Sequence, residues 1–91
     1  MSNTYQIYLI SDSTGETLDR IFTAIKAQFK NINYKIHTYS FTRTDNQISQ
    51  IILEAQKQIN SIILYSIVDS NLAKHLAKSC NEKKIPCFGV L

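Results

Sequence analysis

With 91 residues, 44% of them hydrophobic and 19% charged, the chain has the composition of one small globular domain and not of a disordered segment. Its net charge of +3 includes Lys57, Lys74, Lys78, Lys83 and Lys84, which scatter over two expected helix faces; no basic run is interleaved with aromatics, so nucleic acid is not an expected partner. No apolar run reaches membrane-spanning length and Met1–Thr4 carries no basic signal segment, so no membrane partner is expected and the expected location is the cytoplasm.

The first element is an apolar run, Tyr5, Ile7, Tyr8, Leu9 and Ile10, as in a strand buried on both faces of a parallel sheet. It leads directly into Ser11, Asp12, Ser13, Thr14, Gly15 and Thr17. These short polar side chains gather at the strand's carboxyl end, and Gly15 permits a tight turn or a close ligand approach. Open α/β sheets bind ligands at such strand ends, against helix N–H groups, so this loop is the candidate phosphate or anion site. Capping uses the same residue types: Thr14 with Thr17, or Ser13 with Glu16, also reads as a plain helix cap. The spacing differs from the phosphate loop GxxxxGK[ST], because there is one glycine and no lysine follows it.

Leu18, Ile21, Phe22, Ile25 and Phe29 recur at helical spacing, with Lys26 and Lys30 in the last turns, far from the loop. Asn31 and Asn33 end this helix, expected over Leu18–Phe29. Tyr34–Phe41 then reads as a second, less apolar strand nearer a sheet edge. Arg43 follows it and is within reach of the same sheet end, where a guanidinium fork suits phosphate; a lone loop arginine is more often an ordinary surface residue. Thr44 or Asp45 caps the next helix, expected over Gln47–Ile59, with Ile48, Ile51, Ile52, Ala55 and Ile59 as its buried stripe.

Ser61–Val68 is the most hydrophobic run and reads as a central strand, ending in Tyr65 and Ser66 at the same sheet end. Asp69 is an N-cap, and Leu72, Ala73, Leu76, Ala77 and Cys80 form the stripe of a third helix over Leu72–Cys80. Pro86 separates it from a last apolar piece, Cys87–Leu91. His37 and His75 have no carboxylate or nucleophile at useful spacing and read as structural. Cys80 and Cys87 are too far apart for a CxxC metal signature and read as small buried hydrophobes in a reducing compartment; no metal is expected.

The order βαβαβαβ predicts a three-layer α/β fold around a mainly parallel, four-stranded sheet, a Rossmann-like half, in one domain over residues 1–91. The chain stops inside an apparent strand. That reads as the front part of something longer, or a chain that needs a partner and associates through Phe88–Leu91.

The segments YLISDSTGETLDRIFTAIKAQF, SFTRTDNQI and ILYSIVDSNL resemble the pyruvate, phosphate dikinase regulatory family, also called the phosphoenolpyruvate synthase regulatory or kinase–pyrophosphorylase family. The resemblance covers essentially the whole chain and is most specific in the SDSTGET loop. It implies a bifunctional serine/threonine kinase and phosphorylase. One activity is an ADP-dependent phosphorylation of a dikinase threonine, which inactivates the dikinase. The other removes that phosphate by phosphorolysis with inorganic phosphate, yielding pyrophosphate. Pyruvate, phosphate dikinase is the implied protein partner. ADP and Mg²⁺ are the implied cofactors, but the family's glycine-rich nucleotide loop lies in its second half, outside these residues, so no cofactor is assigned to this chain. A second copy, or a separate chain carrying the second half, is a further expected partner. The alternatives from the residues themselves are a non-catalytic α/β binding module, for instance one that docks a dikinase without modifying it, and a non-functional remnant.

Overall fold

A computed structural model describes residues 4–28 and 30–90. Four strands, β1 (Thr4–Ser11), β2 (Asn33–Tyr39), β3 (Ser61–Ser66) and β4 (Cys87–Gly89), alternate with three helices, α1 (Glu16–Lys26), α2 (Asp45–Gln56) and α3 (Ser70–Glu82). All strand pairings are parallel, in the order β2-β1-β3-β4. The chain steps one way from β1 to β2 and the other way from β2 through β3 to β4. With one crossover hand, that reversal sends helices to opposite faces. Accordingly α1 covers one face, and α2 and α3 the other, giving the three layers expected.

The near-continuous apolar run of β1 is thereby explained. Tyr8 and Ile10 point to the α2/α3 face, where Ile48, Ile51, Ile52, Ala55, Ile63, Leu76 and Cys80 pack around them. Ile7 and Leu9 point to the α1 face and meet Leu18 and Phe22. Gln6 is buried in β1 and would be costly there alone; its Oε1 pairs with Nε2 of His37 at 2.7 Å, and the His37 ring stacks on Tyr8 with centroids 4.6 Å apart. His37 thus has a partner, an amide, that its sequence neighbourhood does not suggest. His75 is the opposite case: its buried Nε2 meets no hydrogen-bond partner among the described residues.

Element ends depart from the spacing in places. Helix α1 ends at Lys26, and the expected extension to Phe29 falls on a residue outside those described. Helix α2 stops at Gln56, so Ile59 is not part of its buried stripe; it lies in the turn before β3 and is 84% exposed. That turn closes instead through left-handed Asn60 and through the buried Ser61 Oγ, which donates to the Ala55 carbonyl at 2.6 Å. Strand β2 ends at Tyr39 because Phe41 takes a left-handed φ of 55° that breaks the extended chain. Strand β4 keeps only three residues; its Gly89 lies against Tyr65, where an added Cβ would come within 3.0 Å of the ring. The expected strand residue Leu91 falls outside the described residues.

Two caps are made by the expected residues. Thr44 closes a capping box with Gln47: the Gln47 N–H donates to Thr44 Oγ1 at 3.1 Å, and the Thr44 N–H to Gln47 Oε1 at 3.0 Å. Asp69 accepts from the N–H groups of Asn71 and Leu72. Thr44→Ala is expected to cost about 1 kcal/mol in chemical denaturation. A value near zero would show that Gln47 alone holds the turn. Helix α3 closes on a Schellman turn. The Ile85 N–H donates to Cys80 O at 2.8 Å and the Lys84 N–H to Asn81 O at 3.2 Å, with Lys84 left-handed at φ 58°.

Candidate functional site

Three loops meet at the carboxyl ends of the strands. Because β1 is flanked by β2 on one side and β3 on the other, the strand order reverses between β1 and β3, and the crevice outside those two strand ends is where doubly wound folds bind ligands. The loop after β1 carries Ser11, Asp12, Ser13, Thr14 and Gly15. The loop after β2 carries Ser40, Phe41, Thr42 and Arg43, and the loop after β3 runs through Val68 to Asp69.

The first loop is held by its own polar atoms. Ser11 is buried, and its Oγ accepts from the Ser13 N–H at 3.1 Å. Gly15 takes the N-cap position of α1 with a φ of 83°, and no side chain caps this helix. The cap readings for Ser13 and Thr14 therefore do not hold; the nearest approach is a long contact of 3.4 Å from the Glu16 N–H to Thr14 Oγ1. Left-handed Gly15 turns the backbone into α1 by itself, and Thr17 sits exposed in the first turn. The result is a helix N-terminus at the strand end that no N-cap side chain closes, with only the long Thr14 contact on its first N–H and with Glu16 and Asp19 in its first turn.

The second loop is laid along the first. Thr42 N–H donates to Ser11 O at 2.8 Å, Phe41 N–H to Ser13 O at 2.9 Å, and Ser40 Oγ to Thr14 O at 3.0 Å. Arg43 closes the set: its Nε donates to Asp12 O at 3.0 Å, and its guanidinium lies 5.3 Å from the centre of the Phe41 ring. The arginine is thus fixed beside the first loop by a hydrogen bond and a cation–π contact.

Asp12 faces the third loop. Its Oδ2 accepts from the Val68 N–H at 2.8 Å, and its own N–H donates to Ser66 O at 3.3 Å, so it ties β1 to β3 across the crevice. Asp12→Ala is expected to cost about 1 kcal/mol, since it orphans a partly exposed N–H. Asp12→Asn, whose amide oxygen still accepts, is expected to cost less. Equal losses for both in urea titration would refute the assignment.

Ser11, Asp12, Ser13, Thr14, Gly15 and Arg43 are therefore brought together, with Thr17 at the rim. Ser40, Phe41, Thr42 and Val68 join them, although no local pattern singles them out. Thr42 and Val68 contribute backbone N–H groups, Ser40 its hydroxyl, and Phe41 its N–H, its ring and a left-handed φ. Lys26 lies in the last turn of α1, about 16 Å along the helix from Gly15. No lysine occurs in the three loops, and among the described residues no group of three or more His, Cys, Asp and Glu suits a metal ion. No helix among the described residues is long and apolar enough to cross a membrane.

These features define a doubly wound α/β protein with a polar crevice at its β1/β3 switch point. The family model described as Kinase/pyrophosphorylase matches residues 7–91, and the chain belongs to that family. It is 71% identical over all 91 of its residues to a protein of Pelagibacter ubique (strain HTCC1062) that is named as a pyruvate, phosphate dikinase regulatory protein. Proteins of the same name from Geotalea uraniireducens (strain Rf4) and Sinorhizobium medicae (strain WSM419) are each 40% identical, over 94% and 98% of the chain. The chain spans about a third of the length of these relatives: 33% of the first and 32% of each of the others.

Proposed function

We propose that these residues form the phosphate-handling front of a regulator of pyruvate, phosphate dikinase. In this reading the whole protein inactivates the dikinase by ADP-dependent phosphorylation of a threonine. It reactivates it by transferring that phosphate to inorganic phosphate, which releases pyrophosphate. The contribution of this chain is to hold an anion, inorganic phosphate or the phosphothreonine group, in the switch-point crevice. The observation that carries the reading is the uncapped N-terminus of α1, entered through Gly15 and flanked by Arg43. Helix N–H groups and a guanidinium each form charge-assisted bonds to phosphate oxygens, contributing roughly 1–3 kcal/mol apiece.

The test is titration of the 91-residue chain with inorganic phosphate, followed by amide chemical shifts. Shifts are expected to concentrate at Ser13–Leu18 and Arg43. Gly15→Ala is expected to destabilise by about 1 kcal/mol through its left-handed φ alone, because the added Cβ meets Ser40 Oγ and Ser11 Cβ at ordinary distances of 3.6 and 3.7 Å. Arg43→Ala is expected to weaken phosphate binding about tenfold. Shifts scattered over the surface lysines would defeat the reading. The tie between Asp12 and Val68, which occupies Oδ2, favours a second reading, a docking module that holds the dikinase without modifying it. Co-sedimentation with dikinase and no phosphate response would support that alternative.

A further inference from the structure

Cys80 and Cys87 lie outside the crevice, and the proposed function does not use them. The Schellman turn at the end of α3 sets Cys80 directly opposite Ile85, with the Ile85 N–H on the Cys80 carbonyl. Two residues on, β4 begins at Cys87, which stands in register with the buried core residue Ile63. Ile85 belongs to the core cluster under α3, and Cys87 packs against that same cluster. Cys80 is fully buried in the cluster that holds Ile63 and Ile85, and half-buried Cys87 packs against that cluster. The peptide between them is pinned at both ends, since the Ile63 N–H donates to Pro86 O at 2.9 Å.

We propose that Cys80 and Cys87 form a thiol oxidation site, in which a hydroperoxide converts the pair to a reversible intrachain disulfide joining α3 to β4. The two thiols have unequal roles. Cys87 is half-buried and can be reached by a peroxide from solution, whereas Cys80 is fully buried, so Cys87 reacts first and Cys80 resolves it; Cys87 and burial together push the Cys80 thiol up. The Cys87 thiolate, its proton given up to solvent, attacks the distal peroxide oxygen; the S–O bond forms, the O–O bond breaks, and the leaving alkoxide takes a proton back from solvent and departs as the alcohol, or as water from hydrogen peroxide. The resulting Cys87 sulfenic acid is then attacked by the Cys80 sulfur; the S–S bond forms, and the hydroxyl leaves as water with the Cys80 proton. Two thiols are oxidised and one hydroperoxide is reduced.

The test treats the folded 91-residue chain with stoichiometric hydrogen peroxide, blocks remaining thiols with a maleimide, and reads intact mass and a peptide map. The expected product is monomeric, lighter by two hydrogens, carries a Cys80–Cys87 cross-linked peptide, and reverts with a dithiol reductant. In guanidinium the cross-link is expected to form about tenfold more slowly, because the fold no longer holds the two sulfurs together. Cys80→Ser is expected to leave a dimedone-reactive sulfenic acid at Cys87, and Cys87→Ser to leave Cys80 unmodified. Disulfide-linked dimers, separate oxidation of each thiol, or equal rates in the folded and denatured chain would overturn the proposal. The wild-type mass decides the matter even where the Cys80 variant fails to fold.

Discussion

Mixed with a pyruvate, phosphate dikinase, ADP and Mg²⁺, residues 1–91 alone are expected to phosphorylate no dikinase threonine above a no-protein control. Phosphoryl transfer depends on positioning the phosphates and neutralising their charge in the transition state. The crevice offers hydroxyls, a helix N-terminus without an N-cap side chain and one guanidinium, Arg43, whose Nε is already engaged by Asp12 O. No lysine stands in the three loops, and Lys26 is a helix length away. On the proposed reading such a set would hold a single phosphate but leave the charge of a nucleotide's phosphate chain largely uncompensated. Threonine phosphorylation by the chain, abolished by Asp12→Ala, would place a complete transfer site within these residues and defeat the expectation.

Leu76→Ala is expected to cost about 3 kcal/mol and lower the melting temperature by roughly 15 °C. Leu76 is fully buried between α3 and the sheet, among Tyr8, Ile10, Ile48, Ile63 and Cys80. A cavity there has walls on every side, so little relaxation fills it. Against a total stability of about 5–14 kcal/mol for a domain of this size, the loss is large. Ile59→Ala removes a comparable apolar volume from a side chain that is 84% exposed and is expected to stay within about 0.5 kcal/mol. Similar melting shifts for the two variants would mean that the turn after α2 packs in a way the structure does not show.

That contrast between Leu76 and Ile59 marks the line between what was legible and what was not. Ile59 follows Ala55 at helical spacing and is as apolar as the residues before it, so a local pattern extends the stripe to it. Whether the helix continues is decided by Asn60 and Ser61, which close the turn onto the Ala55 carbonyl and swing Ile59 outward. Helix α1 carries the same lesson in its capping. Ser13 and Thr14 have the chemistry of caps, yet the position belongs to Gly15, because Ser11 Oγ and the β2–α2 loop already hold the backbone of that turn.

By itself the sequence determined the alternation of strands and helices, the parallel α/β class, the caps at Thr44 and Asp69, and the polar loop after β1. Each of these is encoded over a few residues, in a period of two or of 3.6 or in a side chain bonding its own turn. It also carried the family, through segments that persist in relatives three times as long. Only the tertiary structure decided the strand order, and with it the crevice between β1 and β3. Asp12 meets Val68 across 56 positions and Arg43 meets Asp12 across 31, through backbone groups that every residue possesses. The closeness of Cys80 and Cys87 to one core cluster likewise depends on a left-handed Lys84 and on register with Ile63. Such contacts leave no periodic trace, because what selects them is the packing of the sheet and not the identity of the residues that touch.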